Sequence, residues 1–219
     1  MTILSISTSS GTASAAVYKN GRISCLYGEP SVGGHSEIIM PLVEKLLADN
    51  DTAMEDIDVF ACDVGPGSYT GVRIGVCAVN AMAFTSGKKI IGVPSLEALK
   101  YCVDGDGKSV CALLDCRNGN GYAALYSKNK TVIEPSAVVV AELIKDIPEN
   151  TVFVGDGGVL HRELILANCT GAMFADGVVS AEGVIKAVLA RIDSGEAKAD
   201  EVTPMYLRQP QAERMQNGR

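Results

Sequence analysis

The stretch ILSISTSSGTASAAVYKNG, from Ile3 to Gly21, indicates the fold because its layout returns later in the chain. A short apolar run leads into a turn rich in serine, threonine and glycine. A second apolar run then ends at an Asn-Gly pair, which is a hairpin signal. The stretch CALLDCRNGNGYAALYSKNK, from Cys111 to Lys130, has the same order. Each stretch therefore predicts a strand, a turn and a second strand, and the Asn-Gly pair predicts a third strand at residues 22–27.

The two stretches also match residue by residue. Ser7 falls on Asp115 and Tyr18 falls on Tyr126, and each pair is separated by 108 residues. Chance is the alternative for so short a match, but the shared order of strand, turn and strand favours an internal duplication. We therefore expect the chain to fold as two related halves.

The duplication predicts an α/β protein with two lobes, residues 1–107 and residues 108–219, the second of which is truncated. The glycine- and aspartate-rich run VDGDGKS, at residues 103–109, is the natural boundary between them. Apolar residues at helical spacing predict helices over residues 36–50 and 70–86 in the first lobe. The same spacing predicts four shorter helices, at residues 95–102, 138–147, 160–169 and 180–192. We expect a βββαβα order in each lobe.

The run DVGPGSYTGVRIGV, from Asp63 to Val76, joins a predicted strand to the second long helix. A glycine-rich loop that opens a helix is a common anion site. This run lacks the Gly-Lys-Ser/Thr of a Walker A loop, and Gly65, Gly67 and Gly71 do not have the spacing of GxGxxG. Phosphate binding is therefore the weaker of two interpretations, and the other is a turn that begins a packing helix.

The packing interpretation depends on small residues inside that helix. Gly71 and Gly75 lie in its interior, where each glycine costs roughly 1 kcal/mol relative to alanine. With Ala78 and Met82 they form one shallow stripe, which admits a close neighbour. We therefore predict that this helix packs against another helix, either the helix at residues 36–50 or one from a partner chain.

The charge of the chain bears on nucleic acid as a partner. The formal net charge is −7, and the 19 lysines and arginines are dispersed. Because nucleic-acid affinity depends on clustered basic side chains that contact phosphates, we expect the chain not to hold nucleic acid alone. The basic run at residues 208–219 is predicted to be a frayed tail, with contact to a partner or to RNA as the alternative.

Cysteines and histidines are too scattered to predict a metal site. The seven cysteines include no CxxC pair, and His35 and His161 each have isoleucine four residues later. A zinc peptidase needs two histidines at that spacing on a helix, so we expect neither a metal nor peptidase activity. We expect a cytoplasmic protein without a membrane partner. The thiols are expected to be reduced, and the sequence shows no apolar run of ~20 residues and no signal peptide.

Several runs together resemble one known family. GPGSYTGVRIG, from Gly65 to Gly75, is similar to the signature of the TsaB proteins, also called YeaZ. Six other runs resemble further markers of that family, in its order: ILSISTS, HSEIIMPLVEKLL, GVPSLEAL, LLDCRNGNGYAALY, VGDGG and TPMYLRQPQAER. The resemblance covers most of the chain. It implies an actin-like, Hsp70-like ATPase fold (the ASKHA fold), which agrees with the two lobes.

The resemblance also implies a function. In that family the paralogue TsaD carries the metal and transfers the threonylcarbamoyl group. The product is threonylcarbamoyladenosine, next to the anticodon of tRNAs that read codons starting with A. TsaB is the non-catalytic partner that binds and activates TsaD, and the small ATPase TsaE joins the complex. TsaB is a homodimer in the absence of TsaD, and tRNA is contacted only through the complex. We therefore expect this chain to be a scaffold or activator and not an enzyme.

The contact surface of the family is formed by its first two helices, both for self-association and for TsaD. Carried over to this chain, these are the helices predicted at residues 36–50 and 70–86, and the second is the one with the glycine stripe. The candidate partner-interface residues are Ile38, Ile39, Leu42, Val43, Leu46, Gly71, Ile74, Gly75, Ala78 and Met82.

This chain departs from the family at the end of the first strand, where the family usually has aspartate and this chain has Ser7. Serine supplies no carboxylate to Mg²⁺ and is not a strong base, so ATP hydrolysis is not expected. Asp115, matched to Ser7 by the repeat, is expected to be a turn carboxylate, with anion or metal chemistry as the alternative.

Nucleotide binding is therefore a secondary expectation. No cofactor is expected to bind tightly, and ATP or ADP with Mg²⁺ at a partner interface is left open. The candidate nucleotide- or anion-binding residues are Ser7, Ser9, Gly67, Ser68, Asp115 and Gly157. The alternative function is an ATP-dependent small-molecule kinase or ATPase of the actin-like fold. The glycines of VGDGG, at residues 154–158, would then approach an adenosine, although a tight turn after a strand is the preferred interpretation.

Overall fold

The computed structural model of this protein describes residues 1–29, 34–128, 130–195 and 202–208. Within these residues the chain forms two five-stranded sheets, each in a lobe with helices. The first lobe contains β1 (Ile3–Ser7), β2 (Ser14–Lys19), β3 (Arg22–Tyr27), α1 (His35–Asp49), β4 (Val59–Asp63), α2 (Tyr69–Ser86), β5 (Lys89–Val93) and α3 (Ser95–Lys100). The second contains β6 (Val110–Asp115), β7 (Asn120–Ser127), β8 (Lys130–Val139), α4 (Val140–Leu143), β9 (Val152–Val154), α5 (Asp156–Leu160), α6 (Arg162–Asn168), β10 (Met173–Ala175) and α7 (Ala181–Asp193).

The two sheets have the same topology, which confirms the duplicated α/β architecture. Their strand orders are β3-β2-β1-β4-β5 and β10-β9-β6-β7-β8. In each sheet the first three strands are antiparallel, and the last two run parallel to the first. β1 and β4 are buried at every position, because parallel strands with helices on both faces have no solvent-facing side.

The two long helices confirm the predictions from apolar spacing. α2 begins after Ser68, whose Oγ accepts a hydrogen bond from the Gly71 N–H at 3.2 Å. It ends at Gly87, whose φ of 63° is the left-handed conformation that commonly stops a helix. The helix predicted at residues 138–147 is partly wrong, because β8 continues to Val139 before the short α4 begins. The β-branched residues of this run favour an extended strand.

The packing of α2 corrects the prediction that its glycine stripe receives another helix. A Cβ on Gly71 would lie 1.9 Å from the Thr8 carbonyl oxygen, and one on Gly75 would lie 2.6 Å from Thr8 Oγ1. Both glycines therefore let α2 sit directly on the backbone that follows β1. The element that contacts the glycine stripe is the end of β1 in the same lobe. The spacing of residues within α2 does not indicate this contact.

The sheet register corrects the residue match within the repeat. Ile3 pairs with Tyr18 in the first hairpin, and Val110 pairs with Tyr126 in the second. The tyrosines are 108 residues apart, whereas their strand partners are 107 residues apart. The turn of the second hairpin is therefore one residue longer than the turn of the first.

This longer turn shows that the pairing of Ser7 with Asp115 is wrong: Thr8 is the residue that corresponds to Asp115. A slip of one residue moves a side chain to the opposite face of a strand. Thr8 Oγ1 is on the α2 side, where it donates to the Gly71 carbonyl at 2.7 Å. Asp115 is on the α5 side, where its Oδ1 lies 3.6 Å from His161 Nε2.

Two helices cross between the lobes. α7 follows the second sheet in the chain but packs on β1, β2 and β4, whereas α3 packs on β6 and β7. α3 and α7 also pack against each other, so both sheets share one apolar cluster with them. Ser5 Oγ on β1 donates to the Ala181 carbonyl at the start of α7 at 2.7 Å. The lobes are repeats in sequence, but they are joined by a common core.

In the part of the chain that the structure describes, no helix has both the length and the apolar character needed to span a bilayer. Of the tail expected at residues 208–219, residues 209–219 lie outside the described residues, and Arg208 is held by a hydrogen bond to Asn120 Oδ1 at 2.9 Å.

Candidate functional site

A cleft of about 840 Å³ opens between the lobes, at the ends of β1 and β6. Of the six candidate nucleotide- or anion-binding residues, four line this cleft: Ser9, Gly67, Ser68 and Asp115. The first three form the first-lobe wall at the start of α2, and Asp115 belongs to the opposite wall. The β6–β7 turn and the chain end that the structure describes add two guanidinium groups, those of Arg117 and Arg208.

The other two candidates lie outside the cleft lining. Ser7 is fully buried at the end of β1, and its hydroxyl lies beside the carboxyl group of Asp63. Gly157 is buried in α5, and a Cβ there would lie 2.9 Å from the Leu113 carbonyl oxygen and 3.1 Å from the Asp115 nitrogen. Gly157 therefore lets α5 approach the end of β6 closely, which is a packing role.

The most unusual polar group of the first lobe is Asp63, which the sequence reading overlooked. It ends β4 and is only 1% exposed. Its Oδ2 accepts a hydrogen bond from Ser95 Oγ at 3.0 Å. Burial raises the pKa of Asp63 above its usual 3.8, and the neighbouring hydroxyls of Ser9, Ser95 and Ser7 only partly oppose the rise. A lone aspartate at the end of an otherwise apolar strand is the signal that would have identified it.

Asp115 is held by its own turn. Its Oδ2 accepts the Arg117 N–H at 3.1 Å, and its N–H donates to Asp156 Oδ1 at 2.9 Å. The 3.6 Å between its Oδ1 and His161 Nε2 is too long for a hydrogen bond. Among the residues that the structure describes, no group of three or more His, Cys, Asp or Glu side chains is placed to hold a metal ion.

Several candidate interface residues are buried in the first lobe's own core. Ile39, Val43 and Leu46 of α1 are each 1% exposed and pack in the same cluster as Met82 of α2. An amphipathic helix covers its own sheet first, so its most regular apolar stripe is the one least available to a partner. The prediction that these four residues contact a partner is therefore wrong, and it is also wrong for the buried Gly71 and Gly75. The remaining candidates are partly exposed: Ile38, Leu42, Ile74 and Ala78.

The outer face of the same two helices carries different apolar groups. Phe84 of α2 is 88% exposed, and Met40 of α1 and Tyr69 of α2 are also exposed. A shallow, mainly apolar groove of about 670 Å³ runs along α1 between Met40 and Met54. Fully exposed aromatic side chains of this kind are typical of surfaces that bind another protein.

An aromatic and cationic cluster lies at the start of α2, next to the cleft. The rings of Tyr69 and Tyr206 have centroids 4.7 Å apart. The Arg73 guanidinium lies 4.0 Å above the Tyr69 ring, and its Nε donates to the Tyr206 hydroxyl at 2.8 Å. The outer face of α2 therefore carries an ordered cluster at its N-terminal end and the exposed Phe84 near its C-terminal end.

Comparisons with known proteins place these features in a family. The family model for TsaD, tRNA N6-adenosine threonylcarbamoyltransferase, matches residues 31–160. A relative from Bacillus subtilis, the tRNA threonylcarbamoyladenosine biosynthesis protein TsaB, is 32% identical over 222 residues, with 97% of this chain and 96% of the relative covered.

Solved structures agree with these sequence matches. YeaZ from Pseudomonas aeruginosa has a TM-score of 0.78 at 25% identity, with 94% of this chain and 99% of that chain covered. The ROK hexokinase from Thermus thermophilus has a TM-score of 0.53 at 11% identity, with 90% of this chain and 100% of that chain covered. This second likeness concerns the fold alone, and it confirms the actin-like, Hsp70-like ASKHA fold expected from the resemblance. With a near-full-length TsaB relative and a YeaZ structure of the same architecture, this chain belongs to the TsaB (YeaZ) family.

Proposed function

We propose that this chain is a non-catalytic subunit that binds and activates a TsaD threonylcarbamoyltransferase. The complex would form threonylcarbamoyladenosine next to the anticodon of tRNAs that read codons starting with A. The observation that carries the proposal is the near-full-length similarity to the Bacillus subtilis TsaB. The exposed outer face of α1 and α2, with Phe84 88% exposed, supplies the surface that a subunit with this role needs.

The chemistry of the cleft supports a non-catalytic role. In the first lobe, Ser7 and Asp63 are both sealed from the cleft, so neither presents a carboxylate to a substrate there. In the second lobe, Asp115 is engaged by the amide of Arg117 in its own turn. Phosphoryl transfer depends on carboxylates that hold Mg²⁺ and position the nucleophile. The other carboxylate of the cleft lining, Asp156, already accepts the Asp115 N–H through Oδ1.

Side-chain exposure favours the outer side of the two helices as the contact surface. We propose that Met40, Tyr69, Arg73 and Phe84 contact TsaD, because they are exposed whereas the inner stripe is not. The same face would pair two copies of this chain when TsaD is absent. TsaE would join the assembled complex, and ATP or ADP with Mg²⁺ would bind only where subunits meet. With a net charge of −7, the chain would contact tRNA only through the complex.

Light scattering on a sizing column tests the proposal, with this chain alone and then mixed with TsaD from the same organism. We expect a stable heteromeric peak with the native chain and none with Phe84→Glu. Val132→Glu is the matched control, because Val132 is an exposed apolar residue on β8, in the other lobe. Melting temperatures of both variants equal to that of the native chain would show that neither substitution unfolds the chain.

Two results would contradict the proposal. The first is no co-elution of the native chain with TsaD, with or without nucleotide, which would remove the activator role. The second is co-elution of Phe84→Glu as strong as that of Val132→Glu, which would move the contact away from the outer face of α2.

A second candidate function is an ATP-dependent small-molecule kinase or ATPase. The interlobe cleft of about 840 Å³ favours it, because a nucleotide fits in a cavity of this size. A ligand of the folded state raises the melting temperature, so Mg-ATP would stabilise the chain and phosphate or phosphorylated product would accumulate. Neither effect is expected under the activator proposal for the isolated chain.

A further inference from the structure

The last described segment, residues 202–208, is bound firmly to the first lobe. Val202 is buried, and its carbonyl accepts a hydrogen bond from Asn80 Nδ2 at 2.7 Å. The Val202 N–H donates to Asn80 Oδ1 at 3.4 Å, so both ends of that amide hold the same residue. Three residues later, the Met205 N–H donates to the Val64 carbonyl at 2.7 Å. The segment is therefore fixed to α2 and to the end of β4.

Two glycines make room for this segment. A Cβ on Gly65 would lie 2.7 Å from the Met205 carbonyl oxygen, and Gly65 has a φ of 100°, which other residues rarely adopt. A Cβ on Gly92 would lie 2.9 Å from Val202 Cγ1. The groove that receives residues 202–208 is thus part of the first lobe and not an accidental contact.

The segment then reaches the mouth of the cleft. Tyr206 joins the cluster with Tyr69 and Arg73 at the start of α2. Two residues further on, Arg208 lines the cleft, and its Nη2 donates to Asn120 Oδ1 at 2.9 Å. Asn120 is the first residue of β7, in the second lobe. One segment anchored to the first lobe therefore bonds to the opposite wall of the cleft.

The acceptor on the second lobe is fixed in orientation. Asn120 Nδ2 donates to the Arg117 carbonyl at 3.2 Å and to the Asn118 carbonyl at 2.9 Å. These two bonds use the amide nitrogen, so Oδ1 is the atom that faces Arg208. Arg208 therefore bonds to the β6–β7 turn as a whole and not to a freely rotating side chain.

The lobes are also joined by apolar packing that lies outside the cleft lining. There α3 and α7 pack together inside the apolar cluster shared by both lobes. A shared core resists separation, whereas the cleft mouth depends on polar contacts that water readily replaces. Any change in the angle between the lobes would therefore open the mouth first and leave the shared core closed.

We propose that residues 202–208 are an interlobe strap and that Arg208 is its latch across the mouth of the cleft. The strap is held on the first lobe by Asn80, Val64 and the Tyr69–Arg73 pair, and it holds the second lobe through Asn120. While the latch is formed, the cleft stays at the width seen here. When Arg208 leaves Asn120, the β6–β7 turn moves freely and the cleft widens. This inference does not depend on TsaD binding.

Hydrogen–deuterium exchange of the full-length chain tests the latch. We expect Arg208→Ala to speed exchange of the amides of residues 116–120, the β6–β7 turn and the first residue of β7, by about fivefold, because a charge-assisted hydrogen bond is lost. Tyr206→Ala, which weakens the anchor without touching the latch, is expected to act in the same direction. Arg22→Ala is the control, because Arg22 is exposed on the edge strand β3.

The readout separates a latch from a general loss of stability. Strands β1 and β4 should exchange at native rates in Arg208→Ala, since the shared core is untouched. Unchanged exchange in residues 116–120 of that variant would overturn the proposal. Faster exchange throughout both lobes would overturn it as well, because Arg208 would then support the whole fold and not the mouth of the cleft.

Discussion

The two lobes place an aspartate at the same point of the repeat but treat it in opposite ways. Val59 and Val152 lie beside the central strands at matching positions, and an aspartate follows four residues after each, Asp63 and Asp156. Asp63 is sealed in the first lobe, whereas Asp156 is exposed and lines the cleft. The duplication preserved the residue type but not its electrostatic environment.

The element that follows each strand causes this difference. After β4, the chain loops through the GPGS turn, and Ser95 at the start of α3 covers the carboxyl group of Asp63. After β9, α5 begins directly at Asp156, whose Oδ1 accepts the Asp115 N–H on the surface. A carboxyl group that is closed off from water favours its neutral form, whereas an exposed one keeps its hydration. Residues from distant segments of the chain therefore determine whether an aspartate at a repeated position is buried or exposed to water.

The largest effect is expected for Gly71, the third residue of α2. A Cβ there would meet the backbone carbonyl of Thr8 at 1.9 Å, and backbone cannot rotate away. We expect Gly71→Ala to lower the free energy of unfolding by about 3 kcal/mol. Gly158, the third residue of α5, is the matched position, and its nearest neighbour would be Phe153 Cβ at 3.3 Å. Urea unfolding should show a cost of under about 1 kcal/mol for Gly158→Ala; equal losses would contradict the difference.

The second effect concerns pH, and it compares Asp63→Asn with Asp156→Asn. The pKa of Asp63 is raised by burial in the folded state, so folding favours the protonated form. The contribution of the protonated Asp63 to the free energy of unfolding is complete below pH 3.8, the usual pKa of aspartate. It is lost as the pH rises through the pKa of Asp63 in the folded state. The native chain should lose at most about 1.4 kcal/mol per pH unit within that window.

Urea unfolding between pH 4 and pH 8 measures this dependence. Asp63→Asn should flatten the decline and gain stability relative to the native chain as the pH rises. Asp156→Asn is the control, because the same change is made on an exposed side chain. Parallel pH profiles of the native chain and Asp63→Asn would show that Asp63 is ionised when folded.

Helix caps in the two lobes give the third comparison. Ser68 Oγ accepts the Gly71 N–H at 3.2 Å at the start of α2, and Ser180 Oγ accepts the Gly183 N–H at 3.2 Å at the start of α7. Ser68 is exposed and Ser180 is buried. Thermal unfolding should show a loss of about 1 kcal/mol for Ser68→Ala and about 2 kcal/mol for Ser180→Ala, because water does not replace the buried cap. A larger loss at Ser68 would contradict this order.

The smallest effect is expected for ion pairs on exposed helix faces. Glu182 and Lys186 pair on α7, and Lys45 and Asp49 pair on α1, each four residues apart. The acid comes first only on α7, which is the better orientation with respect to the helix dipole. Lys186→Gln should cost about 0.4 kcal/mol and Lys45→Gln less. Both losses should disappear in 1 M salt, and losses that persist there would indicate packing of the lysine stems.

Local patterns in the sequence were enough for the architecture. The order of strand, turn and strand in residues 3–21, repeated in residues 111–130, predicts two hairpins of one design. Apolar spacing predicts α1 and α2, and the structure confirms both. These features depend on neighbours within a few residues, so one segment contains the information that produces them.

The candidate site depended on contacts that no single segment contains. Segments that lie far apart in the chain cover one face of α1, place the end of β1 against Gly71 and bury the carboxyl group of Asp63. The one-residue difference between the hairpin turns had the same effect, since it moved the counterpart of Asp115 from Ser7 to Thr8.

The duplicated α/β plan was therefore predictable from the amino-acid sequence, because hydrophobic periodicity and turn residues act over short distances. Three features required the packed molecule: the burial of Asp63, the surface left for a partner and the hydrogen bond of Arg208 across the cleft. Burial and charge state depend on which distant groups exclude water, and that exclusion exists only after both lobes have packed around α3 and α7.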